Sequence, residues 1–268
     1  MLVSKETRQK IYKIPGARKL AWIIVDLNNR RYYNSWAKEH DIKRFWANLK
    51  KDRRKERCFI IGNGPSICKE DLAKLGNEDC FVSNRFCYGY DMIEWRPKYY
   101  VVQDIYALSA SELNNLEASY CLFGSYVWRK NTIKKDNAWC IPTRRALSVN
   151  KIRFGSSLED EIVSAYTVTF TIMQIAYYLG YKEVYLLGID HKFPCVHDDK
   201  GNIISNTEER AHFFNEKSTE MINIEGMTNA YICAEKFAKQ HDFHIYNCTR
   251  GGKLEVFQRK SLEEVLRC

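Results

Sequence analysis

From Cys58 to the end of the chain, short apolar runs alternate with stretches of helical period, and this alternation leaves few architectures open. CFIIG, CFVSN, KYYVVQD, CLFGS, EVYLLGID and HIYNC read as strands. Between and after them PSICKEDLAKLG, ASELNNLEASY, YTVTFTIMQIAYYLG, GMTNAYICAEKFAKQHD and SLEEVL read as helices, with Gly76 and Gly180 as stops. Strands that alternate with helices pair in parallel, so the pattern predicts an α/β fold of Rossmann type, a parallel sheet with helices on both faces. No internal repeat or low-complexity tract interrupts it, and 143–165 and 191–224 read as long functional loops.

Charge divides the chain at the same point. Residues 1–57 hold 17 Lys/Arg against 6 Asp/Glu, whereas residues 58–268 hold 25 against 27, so the whole net charge of +9 comes from the N-terminal fifth. That segment interleaves its cations with Trp22, Tyr32, Tyr33, Trp36 and Trp46. From Asn34 onward Trp36, Ile42, Phe45, Trp46 and Leu49 fall at roughly helical spacing. The division predicts a basic amphipathic helical extension over 1–57 and a catalytic domain over 58–268. Such an extension suits an anionic membrane surface, or packing on the main domain or a second copy of the chain. Nucleic acid is not expected, because the remaining chain carries no basic recognition motif.

Composition closes off other classes. At 268 residues and 45% hydrophobic content the chain can bury a large core, so disorder is not the default. No apolar run reaches the ~18 residues of a membrane span and the first ten residues lack a secretory apolar region, so a cytoplasmic location is expected, peripheral at the inner face of the membrane if the basic segment binds lipid. Ten cysteines without a C-x-x-C pair read as reduced core thiols, not as disulfides or a zinc site.

In a parallel sheet, ligands bind where strands end and helices begin. After the first strand comes Gly62-Asn63-Gly64-Pro65-Ser66. Its glycines allow a tight turn, Pro65 suits a first helical position, and Ser66 with the free N–H groups can hold an anion at the helix start. Ile67 stands where a third glycine of a dinucleotide motif belongs, and the second strand ends in Ser83-Asn84-Arg85 without an acid for a ribose diol. Asn84 both donates and accepts, which suits sugar hydroxyls or a cytosine edge. Asp104 ends the third strand and can accept from hydroxyls or hold a metal, and Asp190-His191 ends a later one. TRGGK at 249–253 is a further turn able to form an anion nest, and Asp198-Asp199 reads as an exposed acidic loop.

FIIGNGPS, VSNRF, KYYVVQD, AYYLGYKEVYLLGID and IYNCTRGGKLEVF together resemble the MptE-like proteins that include the motility-associated-factor glycosyltransferases, and more distantly the bacterial sialyltransferases of glycosyltransferase family 42. The resemblance covers about residues 58–260. It implies a nucleotide-sugar transferase of bacterial surface glycan synthesis, with a CMP-activated nonulosonic acid as donor and no required cofactor. It implies that Asn63 and Ser66 meet the nucleotide and its phosphate, that Asn84 binds cytidine or donor sugar, and that Thr167 to Thr169 open a helix touching the nucleotide. Asp104 falls where the sialyltransferases have an asparagine near the donor. Where those enzymes place tyrosines after their G-I-D, this chain has Lys192 and Phe193, and the position of their catalytic histidine falls near Glu225.

Transfer from an activated sugar develops negative charge on the leaving phosphate and removes a proton from an acceptor hydroxyl. Backbone N–H groups of the GNGPS turn with Lys192 or Arg250 are the candidates for the first task. His191 beside Asp190 is the leading base or orienting residue, with His212 and Glu225 as rivals. The expected partners are a nucleotide-sugar donor and a glycan or glycolipid acceptor. Two alternatives stand beside this reading. MptE itself is a pyrophosphokinase, and such chemistry would use a divalent metal held by Asp104 and Asp190. A non-catalytic membrane-associated scaffold would place the function in the basic helix.

Overall fold

The computed structural model describes residues 16–146, 148–157, 162–197, 203–206, 212–214 and 222–267. Two helices come first, α1 (Ala17–Glu39) and α2 (Ile42–Lys51). The break between them corrects the single helical run expected from Asn34 onward. His40 ends α1, and Asp41 adopts left-handed backbone (φ 42°) so that its carboxylate caps α2 by accepting from Arg44 N at 3.3 Å.

Four parallel strands follow, β1 (Arg57–Ile61), β2 (Cys80–Ser83), β3 (Tyr99–Val102) and β4 (Tyr120–Gly124), then β5 (Ala138–Ile141). The elements between them are short: α3 (Lys69–Ala73), a 3₁₀ segment (Asn84–Met92), α4 (Ala110–Asn114) and α5 (Ser125–Lys130). Two small parallel strands, β6 (Thr143–Arg145) and β7 (Ile162–Ser164), lead to α6 (Val168–Leu179) and β8 (Glu183–Leu187). An antiparallel pair, β9 (Cys195–His197) and β10 (Ile203–Asn206), precedes α7 (Ile224–Ala238), β11 (His244–Asn247), β12 (Gln258–Arg259) and α8 (Leu262–Arg267). The segments read as two long loops therefore carry paired strands.

The main sheet has eight parallel strands in the order β12-β11-β8-β1-β2-β3-β4-β5. The α/β Rossmann-like arrangement expected from the alternation is what the chain forms. Side chains of successive strand residues go to opposite faces. Cys58, Ile60, Phe81, Val101 and Leu186 join one core with α2, α6 and α7, while Phe59, Ile61, Val82, Val102 and Leu187 join a second under α3 and α8. Helix α6 is buried nearly all round, from Thr169 to Ala176, which explains why it is apolar on every side. Gly180, in left-handed backbone at φ 87°, ends it.

The N-terminal segment shares these cores. Phe45, Trp46 and Leu49 of α2 lie in the first, and Phe45 stacks on Trp139 at 3.7 Å. Trp36 of α1 meets Trp128 at 5.2 Å and Trp139 at 6.1 Å, and Tyr126 donates to Asp26. The end of the basic run has internal partners: Lys55 and Arg57 pair with Glu78, and Arg53 donates to Gly180 O. Beneath them Asp79 is buried with Lys98 at 3.2 Å and accepts from Tyr181 OH at 2.7 Å and from Arg54 N at 2.8 Å. Nine cysteines are free thiols, five of them buried; Cys268 lies outside the described residues, as do Asp198 and Asp199. No described helix is long and apolar enough to cross a membrane.

Candidate functional site

The strand order reverses between β1 and β8: from β1 the sheet grows through β5 in one direction, and from β8 through β12 in the other. Crevices for ligands open at such switch points, beyond the carboxyl ends of the two strands. Here the two ends are Gly62-Asn63-Gly64 and Gly188-Ile189-Asp190, and they touch. Gly62 N donates to Leu187 O at 2.8 Å and Gly64 N to Gly188 O at 3.0 Å. A Cβ at Gly62 would collide with Gly188 O, and one at Gly64 with the Asp190 carboxylate. The glycines are thus required by strand-end contact.

Ser66 donates to Asp190 Oδ2 at 2.8 Å. This corrects the helix-start reading of the GNGPS turn: α3 begins only at Lys69, spans five residues, and Ser66 spends its proton on a carboxylate. Burial, opposed mainly by the Ser66 hydrogen bond, raises the Asp190 carboxyl above its ordinary value. The TRGGK turn clasps the same residue from the other side. Lys253 N donates to Asp190 O at 2.7 Å, Ile189 N to Thr249 Oγ1 at 3.0 Å, and a Cβ at Gly252 would press on Asp190 backbone. Asp190 is accordingly a positioning residue that ties three loops together.

Eight buried side-chain polar atoms have no hydrogen-bond partner among the described residues, and four of them are Asn63 Oδ1, Asn84 Oδ1, His191 Nδ1 and His212 Nε2. Orphan polar atoms are rare in folded proteins, and these four gather at one sheet edge. Asn63 Nδ2 donates to Ser83 O at 3.2 Å, which joins the β1 and β2 loops. Phe213 N donates to Asn63 O at 3.0 Å, and the Phe213 ring lies against Gly89, so the segment 212–214 straps both loops. His212 stacks on Phe214 at 5.0 Å; burial, with Arg85 nearby, lowers its pKa.

His191 sits on the other side of the switch. Its Nε2 lies 2.8 Å from Thr228 Oγ1, and that hydroxyl donates to Ile224 O at 2.8 Å. A hydroxyl with its proton committed must accept, so Nε2 carries the ring proton and Nδ1 presents a lone pair, an assignment made from the hydrogen-bond network. Burial lowers the His191 pKa, keeping the ring neutral near pH 7. The ring packs on Tyr231 at 5.5 Å, and Tyr231 OH reaches Thr167 Oγ1 at 3.5 Å. Thr167 caps α6, accepting from Thr169 N, and both threonines are buried. Asn84 (φ 50°), Tyr166 (φ 59°) and His191 (φ 51°) hold left-handed backbone around this rim, a strain typical of functional sites.

The remaining candidates are placed differently. Asp104 accepts from Tyr106 N at 2.9 Å in a turn after β3, while the neighbouring Gln103 receives a hydrogen bond from Thr171 of α6. Lys192 is exposed beside His191, and Glu225 is exposed in the first turn of α7. Arg250 is engaged elsewhere: its guanidinium bonds both Asp71 oxygens at 2.6 and 2.8 Å and Glu263 at 2.9 Å, along a groove of about 320 Å³ between β11 and α8. Among the described residues no group of three His, Cys, Asp or Glu side chains is placed to hold a metal ion.

Thr228 and Tyr231 are the site residues that sequence reading missed. Their signal, a polar pair three apart on one helix, is too common to stand out before the fold sets it beside His191. No family model and no curated protein matches this chain. Among solved structures it is similar to the MAf glycosyltransferase from Magnetospirillum magneticum AMB-1, with 14% identity and a TM-score of 0.47 over 79% of this chain. The chain spans about a third, 34%, of that protein's length.

Proposed function

We propose that the chain is a glycosyltransferase that takes a nucleotide-activated sugar at the β1/β8 switch point, with a CMP-activated nonulosonic acid as donor and a bacterial surface glycan or glycolipid as acceptor. The observation that carries the reading is the set of four unpartnered polar atoms around glycine turns that meet backbone to backbone. The carboxamide oxygens of Asn63 and Asn84 accept from the amino and hydroxyl groups of a nucleoside or sugar, and neither charges such a site. Preference for cytidine and for a nonulosonic acid comes from the sequence resemblance.

His191 is the general base in this reading. Its Nδ1 takes the proton of an acceptor hydroxyl while Thr228 holds Nε2, and the neutral ring carries no charge to repel an approaching cationic centre. Lys192, exposed beside His191, meets the charge that grows on the leaving phosphate, because the N–H groups of Gly62 and Gly64 are spent on Leu187 O and Gly188 O. Asp190 keeps the turn in shape through Ser66.

The test is thermal unfolding with CMP, CDP, UDP, GDP or ATP, each with and without Mg²⁺. A ligand at a hundredfold excess over its Kd stabilises the folded state by about 2.7 kcal/mol. Stabilisation by CMP without metal, lost in Asn84→Ala, supports the reading. Stabilisation only by ATP with Mg²⁺ transfers it to pyrophosphoryl transfer, for which a metal held largely by substrate phosphates needs one or two carboxylates such as Asp104 and Asp190.

A further inference from the structure

Eight large apolar side chains are exposed among the described residues, and six of them, Leu20, Ile24, Leu27, Tyr88, Tyr106 and Tyr166, belong to segments at the carboxyl edge of the sheet. Tyr88 and Tyr106 follow β2 and β3, and Tyr166 precedes α6, whose far end at Gly180 returns to the opposite edge. Helix α1 starts at the same level. Its Asp26 accepts from Tyr126, the second residue after β4, and Arg145, at the end of β6, stacks over Trp22 at 4.2 Å.

Leu20, Ile24 and Leu27 recur at i, i+4 and i+7 and are 59%, 50% and 52% exposed, so they form one uncovered stripe, continued by exposed Arg31. Further along the helix Tyr33 and Trp36 are buried against the domain, while Tyr32 is 38% exposed. Among the described residues of α1 and α2, the exposed large apolar side chains are this stripe and Tyr32.

Charge identifies the partner. Helix α1 and the two elements that pack beside it, α5 and β6, together hold 9 Lys/Arg against 2 Asp/Glu, although residues 58–268 as a whole carry a slight negative excess. Folding thus assembles a basic face from separate stretches of chain. A nucleic acid would use the cations and leave the Leu/Ile stripe in water, and a plain apolar partner would use the stripe and leave the cations unmatched. An anionic lipid surface takes both, because apolar side chains enter the acyl boundary while Lys and Arg stay among the headgroups.

We infer that this face docks on an anionic phospholipid surface, with the stripe of α1 inserted and the β1/β8 crevice on the same edge of the molecule. An acceptor anchored in that surface would meet the crevice without leaving the membrane. Docking itself does not depend on which donor the crevice binds.

The experiment is cosedimentation of the full chain with vesicles of phosphatidylcholine alone, or of equal parts phosphatidylcholine and phosphatidylglycerol. Binding is expected only to the anionic vesicles and is expected to weaken with salt. Leu20→Asn/Ile24→Asn/Leu27→Asn should reduce it about tenfold or more, with thermal midpoint and nucleotide-dependent stabilisation unchanged. Arg129→Glu/Lys130→Glu, at exposed positions, should reduce it independently and serves as the reading should the triple variant not fold. Absence of wild-type binding to anionic vesicles overturns the inference, as does equal binding by the variants. A triple variant that loses self-association while vesicle binding persists would assign the stripe to a second copy of this chain instead.

Discussion

Gly64 and Asp190 approach so closely that a single added methyl group at residue 64 would occupy the place of the Asp190 carboxylate. The backbone of residue 64 also hydrogen-bonds Gly188, so neither partner can withdraw without separating β1 from β8 at their ends. Gly64→Ala is expected to destabilise the fold by about 1–3 kcal/mol, the usual cost of overpacking, and to abolish nucleotide-dependent stabilisation. Urea unfolding measures the first effect and a ligand thermal shift the second; a variant that unfolds like the wild type would contradict the close crossing.

Asp190 itself should limit stability. Burial raises its carboxyl above the ordinary value, so the folded chain holds that proton more readily than the unfolded chain. The contribution is favourable at acid pH and is lost as pH rises through the folded-state value, which leaves the ionised group as a burden at neutrality. Asp190→Asn keeps an acceptor for Ser66 and is expected to raise the unfolding free energy at pH 7. The gain should vanish toward acid pH, and denaturant titrations across that range decide it.

His191 gives the opposite slope. Burial lowers its pKa below 6.5, so between that value and the folded-state value the unfolded chain binds more protons and stability falls as pH falls. His212 acts in the same sense. His191→Gln, whose side-chain N–H can still reach Thr228, should flatten part of this acid decline. It should also abolish transfer to an acceptor, while a pH–rate profile of the wild type keeps its acid limb below the usual histidine range.

Asp79 lies far from the crevice, at the amino end of the sheet, with Lys98 only 6% exposed beside it. Asp79→Ala leaves that buried ammonium with Asp52 alone and removes the acceptor of Tyr181 and Arg54. A loss of about 3–5 kcal/mol is expected, as for one partner of a buried ion pair. Replacing Asp79 and Lys98 together by apolar residues should restore part of it, and a double-mutant cycle provides the measurement.

The strands around the switch point were legible because both faces of a central parallel strand are buried, and GNG and GID stand out at their ends. Strand β5 and helix α5 were not, since SYVWRKNTIKKDNAWCI offers apolar runs of only three and four residues and no period long enough to register. The helix expected at Pro65 starts at Lys69 because the Ser66 hydroxyl serves Asp190, a partner 124 residues away in sequence. Arg250 looked like a phosphate ligand by its glycine neighbours, yet Asp71 and Glu263 reach it first. Long-range partners of this kind leave no trace in local pattern. The same holds for Thr228, which matters only because β8 ends beside α7.

The packing of Trp36 and Phe45 on Trp139 has a consequence for how the molecule keeps to itself. Strand β5 is a terminal strand of the sheet, hydrogen-bonded on one side only, and such borders recruit strands from other molecules when uncovered. Tyr33 and Trp36 of α1 close over Cys140 of that strand. A chain shortened to begin at Cys58 would lay bare Trp128, Trp139 and the outer border of β5 together, and should clump into aggregates before any loss of chemistry could be observed.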